Sequence, residues 1–342
     1  MVTKNNITSL INKLKNYKLD INDMKKILNT TNDIEIQSVL DKLLDMNIDL
    51  NVSTPKGRSR KLLYHINILP QNGNIYHISG VDNKYRTVKF GAISDIHFAS
   101  KFHLPKTFFS TMKQFEDIGV KKVYIAGDIV DGNKIYRGHL ENLICTSVEN
   151  QTDMAAKALS RHPNLDFMAI AGNHDYSFTK ENGAKPLAIL EQKIDNFTNL
   201  GDLRADITYH GITLRLLHGG SGRAYARSYP SQTYLRDYFS GLNLQDMTNL
   251  PHLMLLGHYH TLYVGKDHGI WIVQPGSFQD GDNEYCVRKG LTGPNGGFYV
   301  EYKCKDGNID QFKTEYIEPS IRQTERGNAF KKTTINYDRK QK

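Results

Sequence analysis

Five short apolar runs in this chain each end in polar side chains of one chemical kind. Val88–Ile93 runs into Ser94-Asp95-Ile96-His97, and Lys122–Ala126 runs into Gly127-Asp128-Ile129-Val130-Asp131. Leu165–Ala171 leads to Gly172-Asn173-His174-Asp175, Ile212–Leu217 to His218-Gly219-Gly220, and Leu253–Leu256 to Gly257-His258-Tyr259-His260. Short apolar runs alternating with helical stretches predict an α/β sheet, and open α/β sheets place ligands beyond the carboxyl ends of their strands. Asp95 and His97 stand two residues apart, as do His258 and His260. On an extended backbone each pair points to one side. Glycine precedes Asp128, Asn173 and His258, which permits a sharp exit and a close backbone approach.

Asp95, His97, Asp128, Asn173, His218, His258 and His260 supply two carboxylates, one amide oxygen and four imidazoles, without a thiolate. That mixed oxygen–nitrogen set suits Mn, Fe or Zn better than Ca or Mg. It exceeds the needs of one tetrahedral ion. Two divalent ions sharing one carboxylate, about 3.5–4 Å apart, use it economically. Mn2+ is the expected metal, with Fe or Zn as alternatives. The remaining histidines, His65, His77, His103, His139, His162, His210, His252 and His268, are read as structural.

Asp95-x-His97, Gly127-Asp128-x-x-Asp131, Gly172-Asn173-His174-Asp175, His218 and Gly257-His258-x-His260 together resemble the calcineurin-like metallophosphoesterase superfamily. The resemblance covers residues 88–318. It implies an α/β/β/α sandwich, a dinuclear metal centre and hydrolysis of phosphate mono- or diesters. Position by position, it implies that Asp95, His97 and His260 hold the first ion, that Asp128 bridges, and that Asn173, His218 and His258 hold the second. His174 would stabilise the transition state or protonate the leaving oxygen, Asp175 would orient His174, and Asp131 would steady a ligand. The implied mechanism is in-line attack by a metal-bridging hydroxide. Gly132 stands where protein Ser/Thr phosphatases of the superfamily carry Arg, which argues against that branch. Pro275-Gly276-Ser277 resembles a segment of the DNA-repair exonuclease branch and of small phosphodiesterases, although its direct role reads as a tight turn. The Tyr- and Arg-rich stretch Tyr225–Tyr238 reads either as a stacking platform for single strands or as an amphipathic helix.

Residues 6–16, 21–29 and 33–46 carry apolar side chains at helical spacing, with Asp33 as an N-cap and Ile34 in the apolar stripe of the third. Two strands, Ile48–Ser53 and Leu62–Ile68, follow around a Pro-Lys-Gly turn. This order is similar to a winged helix-turn-helix, giving a module over 1–69. Helix 33–46 is acidic and fits a phosphate-lined groove poorly. The wing, with Lys56, Arg58, Arg60 and Lys61, is the better nucleic-acid contact; docking of a protein partner or a second copy is the competing role. Residues 70–87 read as a linker, 88–318 as the metallophosphoesterase domain, and 319–342 as a disordered basic tail.

The net charge of +8 is concentrated at the ends. Residues 1–70 hold 11 basic and 7 acidic side chains, and residues 319–342 hold 7 and 2. Basic ends suit a polyanion, so nucleic acid is the expected partner. The three cysteines, Cys145, Cys286 and Cys304, are not closely paired. They exclude a disulfide scaffold and fit a reducing cytoplasm. No apolar run approaches membrane-spanning length. The resulting expectation is a phosphodiesterase or nuclease acting on nucleic acid. The alternative is a hydrolase of nucleotides or cyclic nucleotides, with residues 1–69 serving oligomerisation or docking. A scaffold with a degenerate site is disfavoured because every ligand position is filled.

Overall fold

The computed structural model describes residues 6–7, 9–10, 13–14, 19–45, 50–53, 63–66, 74–78, 84–220, 226–241, 250–281, 287 and 294–319. The chain divides into two units, Met1–Gln71 and Asn72–Lys342.

In the first unit, α1 (Ile21–Leu28) is closed by reciprocal capping. Asp23 N donates to Asp20 Oδ1 at 2.9 Å, and Asp20 N donates to Asp23 Oδ2 at 3.2 Å. Asn29 ends the helix in a left-handed conformation. The next helix, α2 (Asp33–Asp45), is capped by Asn32, not by Asp33 as expected, because Ile34 N donates to Asn32 Oδ1 at 2.9 Å. Ile34 is 78% exposed and leaves the expected stripe. It lies about 200° around the helix from Ile36, whereas Ile36, Val39 and Leu40 pack on Leu10, Leu14, Leu19, Met24 and Leu28. Then β1 (Leu50–Ser53) pairs antiparallel with β2 (Leu63–Ile66), Leu50 opposite Ile66. Lys56, Arg58, Arg60 and Lys61 lie outside the described residues, as does the tail beyond Pro319.

The second unit continues with β3 (Asn74–His77), β4 (Arg86–Ile93), α3 (Pro105–Asp117), β5 (Lys122–Ala126), α4 (Val148–Leu159) and β6 (Asp166–Ala171). Next come α5 (Asn173–Asn182), α6 (Pro186–Lys193), β7 (Phe197–Asp202), β8 (Arg204–Tyr209), β9 (Ile212–His218) and α7 (Tyr229–Gly241). The strands β10 (Leu253–Gly257), β11 (Tyr263–Asp267), β12 (Ile270–Gln274), β13 (Gly297–Lys305) and β14 (Asn308–Ile317) complete it. One six-stranded sheet has the order β14-β13-β4-β5-β6-β7, the other β11-β12-β10-β9-β8-β3. Strands β4 to β7 are mutually parallel, as are β9, β10 and β12. Residues 70–87, expected as a linker, contain β3, which pairs parallel with β8 and forms an edge of the second sheet. Asn74 Nδ2 anchors it by donating to Leu200 O at 3.0 Å.

Alternation along the strands builds two cores. Phe90, Ala92, Tyr124, Ala126 and Ile170 of the first sheet face Ala205, Ile207, Leu214, Leu216 and Leu255 of the second. The opposite faces of the same strands, Ile93, Val123, Ile125, Phe167 and Ala169, pack under Phe108, Met112 and Phe115 of α3, Ala155 and Leu159 of α4, and Leu187 and Leu190 of α6. Burial on both faces explains why these strands read as continuous apolar runs. Full burial of Phe115 alone contributes about 1.5–3 kcal/mol. Leu235 of α7 covers Met254, Ile270 and Ile272 on the outer face of the second sheet. The layers are therefore helix, sheet, sheet, helix, as expected. Among the described residues, no helix is long and apolar enough to cross a membrane.

Candidate metal centre

The sandwich brings the carboxyl ends of β4, β5, β6, β9 and β10 to one place. The loops after β4 and β5 are zipped together by main-chain bonds. Asp95 N donates to Gly127 O at 3.0 Å, Ile96 N to Asp128 O at 2.8 Å and Phe98 N to Ile129 O at 2.8 Å. Glycine is required where the strand ends meet. A Cβ on Gly257 would run into Ala126 O and Ser94 Oγ, and one on Gly172 into the Asp128 carboxylate.

The donors converge differently from the expectation of extended backbone. Asp95, His97, Asp128, His258 and His260 have φ of 53°, 56°, 54°, 91° and 53°. Such left-handed residues cost on the order of 1–3 kcal/mol each and collect at functional sites. Asp95 and His97 still reach one group through alternating left-handed turns beyond the strand end, whereas His258 and His260 part, each to a different group.

All seven expected donors lie together. His97 Nε2 is 3.1 Å from His260 Nε2, which lies 3.4 Å from Asp95 Oδ1. His218 Nε2 is 3.2 Å from Asp128 Oδ2 and 3.0 Å from Asn173 Oδ1, and His258 Nδ1 is 2.9 Å from Asn173 Oδ1. Asp95, His97 and His260 form one group able to hold a cation, and Asp128, His218 and His258 form another. Asp128 also groups with His97 and His174, so its carboxylate lies between the two.

Hydrogen bonds behind the site set the tautomers. The His218 Nδ1 faces Ala126 O at 2.7 Å. A carbonyl only accepts, so Nδ1 carries a proton and the neutral ring turns its Nε2 lone pair towards Asp128 and Asn173. Three acceptors facing one another require a proton or a cation between them. In the metal-free protein a proton fills the role. Burial opposes charge on His218, but the Asp128 and Asp95 carboxylates outweigh it and raise the ring to about 9. His97 is prepared similarly. Its Nδ1 lies 2.9 Å from Asp131 Oδ1, while burial and the charge of His174 lower its pKa and keep the ring neutral. Burial favours the neutral acid at Asp95, but His260 prevails and lowers it to about 2. Asp128 is likewise held ionised, against burial, by His218 and His174. An acceptor-rich, ionised donor set of this kind fits divalent cations.

His174 stands beside these groups, its ring edge-on to His97 with centroids 4.5 Å apart. Its N–H donates to Asp128 Oδ1 at 2.8 Å, and its Nδ1 donates to Asp131 O at 2.6 Å, with Asp131 Oδ1 at 3.5 Å. Asp131, not Asp175, therefore orients His174. Asp175 is turned away by helix α5, where consecutive residues point in different directions. Its carboxylate accepts from Gly172 N, Val130 N and Ile129 N at 2.8, 2.9 and 3.1 Å, bolting α5 to the β5 loop. Burial and nearby Asp128 push it up to about 7 against those donors. Asp131 itself is held well below the usual carboxylate range, against burial, by His139, His174 and His97.

Other expectations resolve in the same region. Ser277 Oγ and Phe278 N both donate to Asp95 O at 2.9 Å, so the Pro-Gly-Ser turn buttresses the first motif. His103 is structural, its Nδ1 donating to Ile96 O at 2.9 Å with its ring against Phe98. His139, also read as structural, faces Asp131 Oδ2 at 3.4 Å and belongs to the surroundings of the site. Its only trace in the sequence is its position eight residues after the second motif. In α7, Tyr229 is exposed and Tyr234 packs on the cluster around Leu235. Tyr225 lies outside the described residues.

Residues 88–288 match the model of the calcineurin-like phosphoesterase superfamily domain. The chain belongs to this superfamily. Among curated proteins it is similar to the DNA polymerase II small subunit of Methanothermobacter thermautotrophicus, with 24% identity over 249 residues, 60% of this chain and 51% of that one. The small subunit of the same name from Pyrococcus furiosus is 30% identical over 181 residues, 47% of this chain and 28% of that one. The chain thus spans about half or less of the length of these relatives. Similar solved structures include the E. coli phosphoesterase Yfce, at 16% identity and a TM-score of 0.36 over 66% of this chain and 98% of that one. An archaeal phosphodiesterase is similar at 14% identity and a TM-score of 0.35 over 67% and 100%.

Proposed function

We propose that the chain is a two-metal phosphodiesterase that cleaves nucleic acid. The observation that carries this reading is the cage of facing lone pairs at Asp128, Asn173 and His218, where Asp128 Oδ1 and His218 Nδ1 are already engaged by His174 N and Ala126 O. In it, Asp95, His97 and His260 would hold one ion and Asn173, His218 and His258 the other, with the Asp128 carboxylate within reach of both groups. Two divalent ions, Mn2+ or else Fe or Zn, would neutralise charge on the phosphoryl oxygens and lower the pKa of the attacking water.

The remaining chemistry belongs to the chain. The Asp128 and Asp131 carboxylates raise His174 to about 9 against its burial, so in the metal-free protein it holds a proton at neutral pH. With Nδ1 anchored on Asp131 O, the Nε2 proton is the one available to the leaving oxygen as the P–O bond breaks. Asp131 fixes the rings of His97 and His174 together, keeping ligand and acid in one geometry.

Two features support nucleic acid as the substrate: the DNA polymerase small subunits among the relatives and the positive charge at both chain ends. Residues 1–69, as a winged-helix-like module, and the tail 319–342 would contact the polyanion, with Lys56, Arg58, Arg60 and Lys61 as the wing. The test is a divalent-metal panel against ssDNA, dsDNA, RNA, cyclic nucleotides and bis-p-nitrophenyl phosphate, with Asp128→Asn as control. Cleavage of polymers that weakens steeply with salt is expected. Hydrolysis of small esters with no polymer cut at any salt removes the nucleic-acid substrate. Failure to take up any of these ions removes the metal centre.

A further inference from the structure

We propose that His139 is a positioning residue that sets both the proton donor His174 and the ligand His97 through the Asp131 carboxylate. The inference rests on the phosphoesterase reading above. His139 opens a short 3-10 turn, His139–Asn142, and is buried. Ile135 N donates to its Nδ1 at 3.3 Å. A backbone N–H can only donate, so Nδ1 presents its lone pair and the ring proton sits on Nε2. That Nε2 faces Asp131 Oδ2 at 3.4 Å, an ion-pair approach, and neither atom has a hydrogen-bond partner among the described residues.

The other carboxylate oxygen, Asp131 Oδ1, serves His97 Nδ1 at 2.9 Å and His174 Nδ1 at 3.5 Å. One carboxylate thus meets three imidazoles, His97 and His174 at Oδ1 and His139 at Oδ2. Its ring is wedged between Tyr136, with centroids 4.6 Å apart, and His174, edge-on at 5.5 Å. Removing the Nε2–H takes away the one N–H that faces Oδ2 among the described residues, in a buried site. A buried carboxylate oxygen without a donor is costly, and rotating the carboxylate to find one withdraws Oδ1 from both rings.

Shape and hydrogen bonding are separable. His139→Leu keeps the volume and removes the donor, whereas His139→Gln restores an N–H of similar reach. Losing a residue that orients a metal ligand costs roughly 10–100-fold. The expected result is therefore a fall of about tenfold or more in kcat for His139→Leu with KM unchanged, and recovery of most of it in His139→Gln. Long-range 1H–15N spectra of the zinc-loaded protein give a readout independent of turnover. They should show the His139 ring protonated at Nε2 alone, and the Nδ1–H state of His97 weakened in His139→Leu and recovered in His139→Gln. Equal activity of the Leu and Gln variants, or a His139 ring protonated at Nδ1, overturns the proposal. If the wild-type protein hydrolyses no ester, the phosphoesterase reading fails, and the spectra alone decide whether His139 sets the Asp131 network.

Discussion

The backbone at Gly172 approaches the Asp128 carboxylate so closely that a single methyl group should disable the site. Its φ lies in the ordinary negative region, so Gly172→Ala introduces a steric load and no backbone strain. The added Cβ would stand 2.7 Å from Asp128 Cγ, with the Asp128 main-chain N and Oδ1 nearer still. Carbon atoms pack at about 3.5–4.0 Å, so the Asp128 main chain and its carboxylate must retreat together by about 1 Å. That carboxylate is the one shared between both donor groups, and about 1 Å of misplacement costs about 100-fold in rate. The global cost is smaller, about 1–3 kcal/mol for one overpacked site. Turnover of bis-p-nitrophenyl phosphate, bound metal by elemental analysis and thermal melting can be read on the same sample. The expected outcome is about a 100-fold loss of kcat, fewer than two ions retained and a cooperative melt. Two ions retained with wild-type turnover would show that Asp128 does not sit where both groups need it.

His174→Ala should lower kcat by about 100-fold or more while elemental analysis finds the metal content unchanged; loss of metal would make His174 a ligand. In the metal-free protein His218 keeps its proton up to about pH 9, whereas His258, driven down to about 4 by burial and His218, is already neutral. Metal must displace the His218 proton, so calorimetric affinity should rise about tenfold per pH unit between 6.5 and 9; a flat profile refutes the assignment. The sign for stability is opposite. Raised pKa values at His174 and His218 stabilise the metal-free fold fully below pH 6.5, and that contribution disappears as pH rises through about 9. Its melting temperature should fall over this range. Arg215, 1% exposed, makes a two-pronged pair with Asp206 at 2.7 Å, and Arg204 joins at 2.9 Å. Asp206→Ala should destabilise by about 3–5 kcal/mol in denaturant unfolding, because it takes the two-pronged carboxylate from a buried guanidinium; a loss below about 1 kcal/mol contradicts that.

The strands that carry donors were legible in the sequence because they are buried on both faces and stop abruptly at polar residues. Strands β8, β13 and β14 were not. They bear no donors, and β14 alternates between half-buried and exposed positions as an edge strand does. That these seven side chains converge could be read from residue type and order, but their geometry could not. Left-handed turns at Asp95, His97 and His260 are invisible to a two-residue period. The adjacency of Asp175 to His174 misled because a helix separates neighbours in sequence. His139 escaped because a loop and a 3-10 turn, with no fixed spacing, carry it back to Asp131.

The donors are divided between the two sheets. Asp95, His97, Asp128 and Asn173 follow strands of one, and His218, His258 and His260 follow strands of the other. A chain nicked at Leu203, between β7 and β8, would therefore yield two fragments with complementary halves of the cage. Neither fragment alone would carry every side chain that the proposed pair of cations needs, and reassembly of the fragments would be reported by recovered metal capacity.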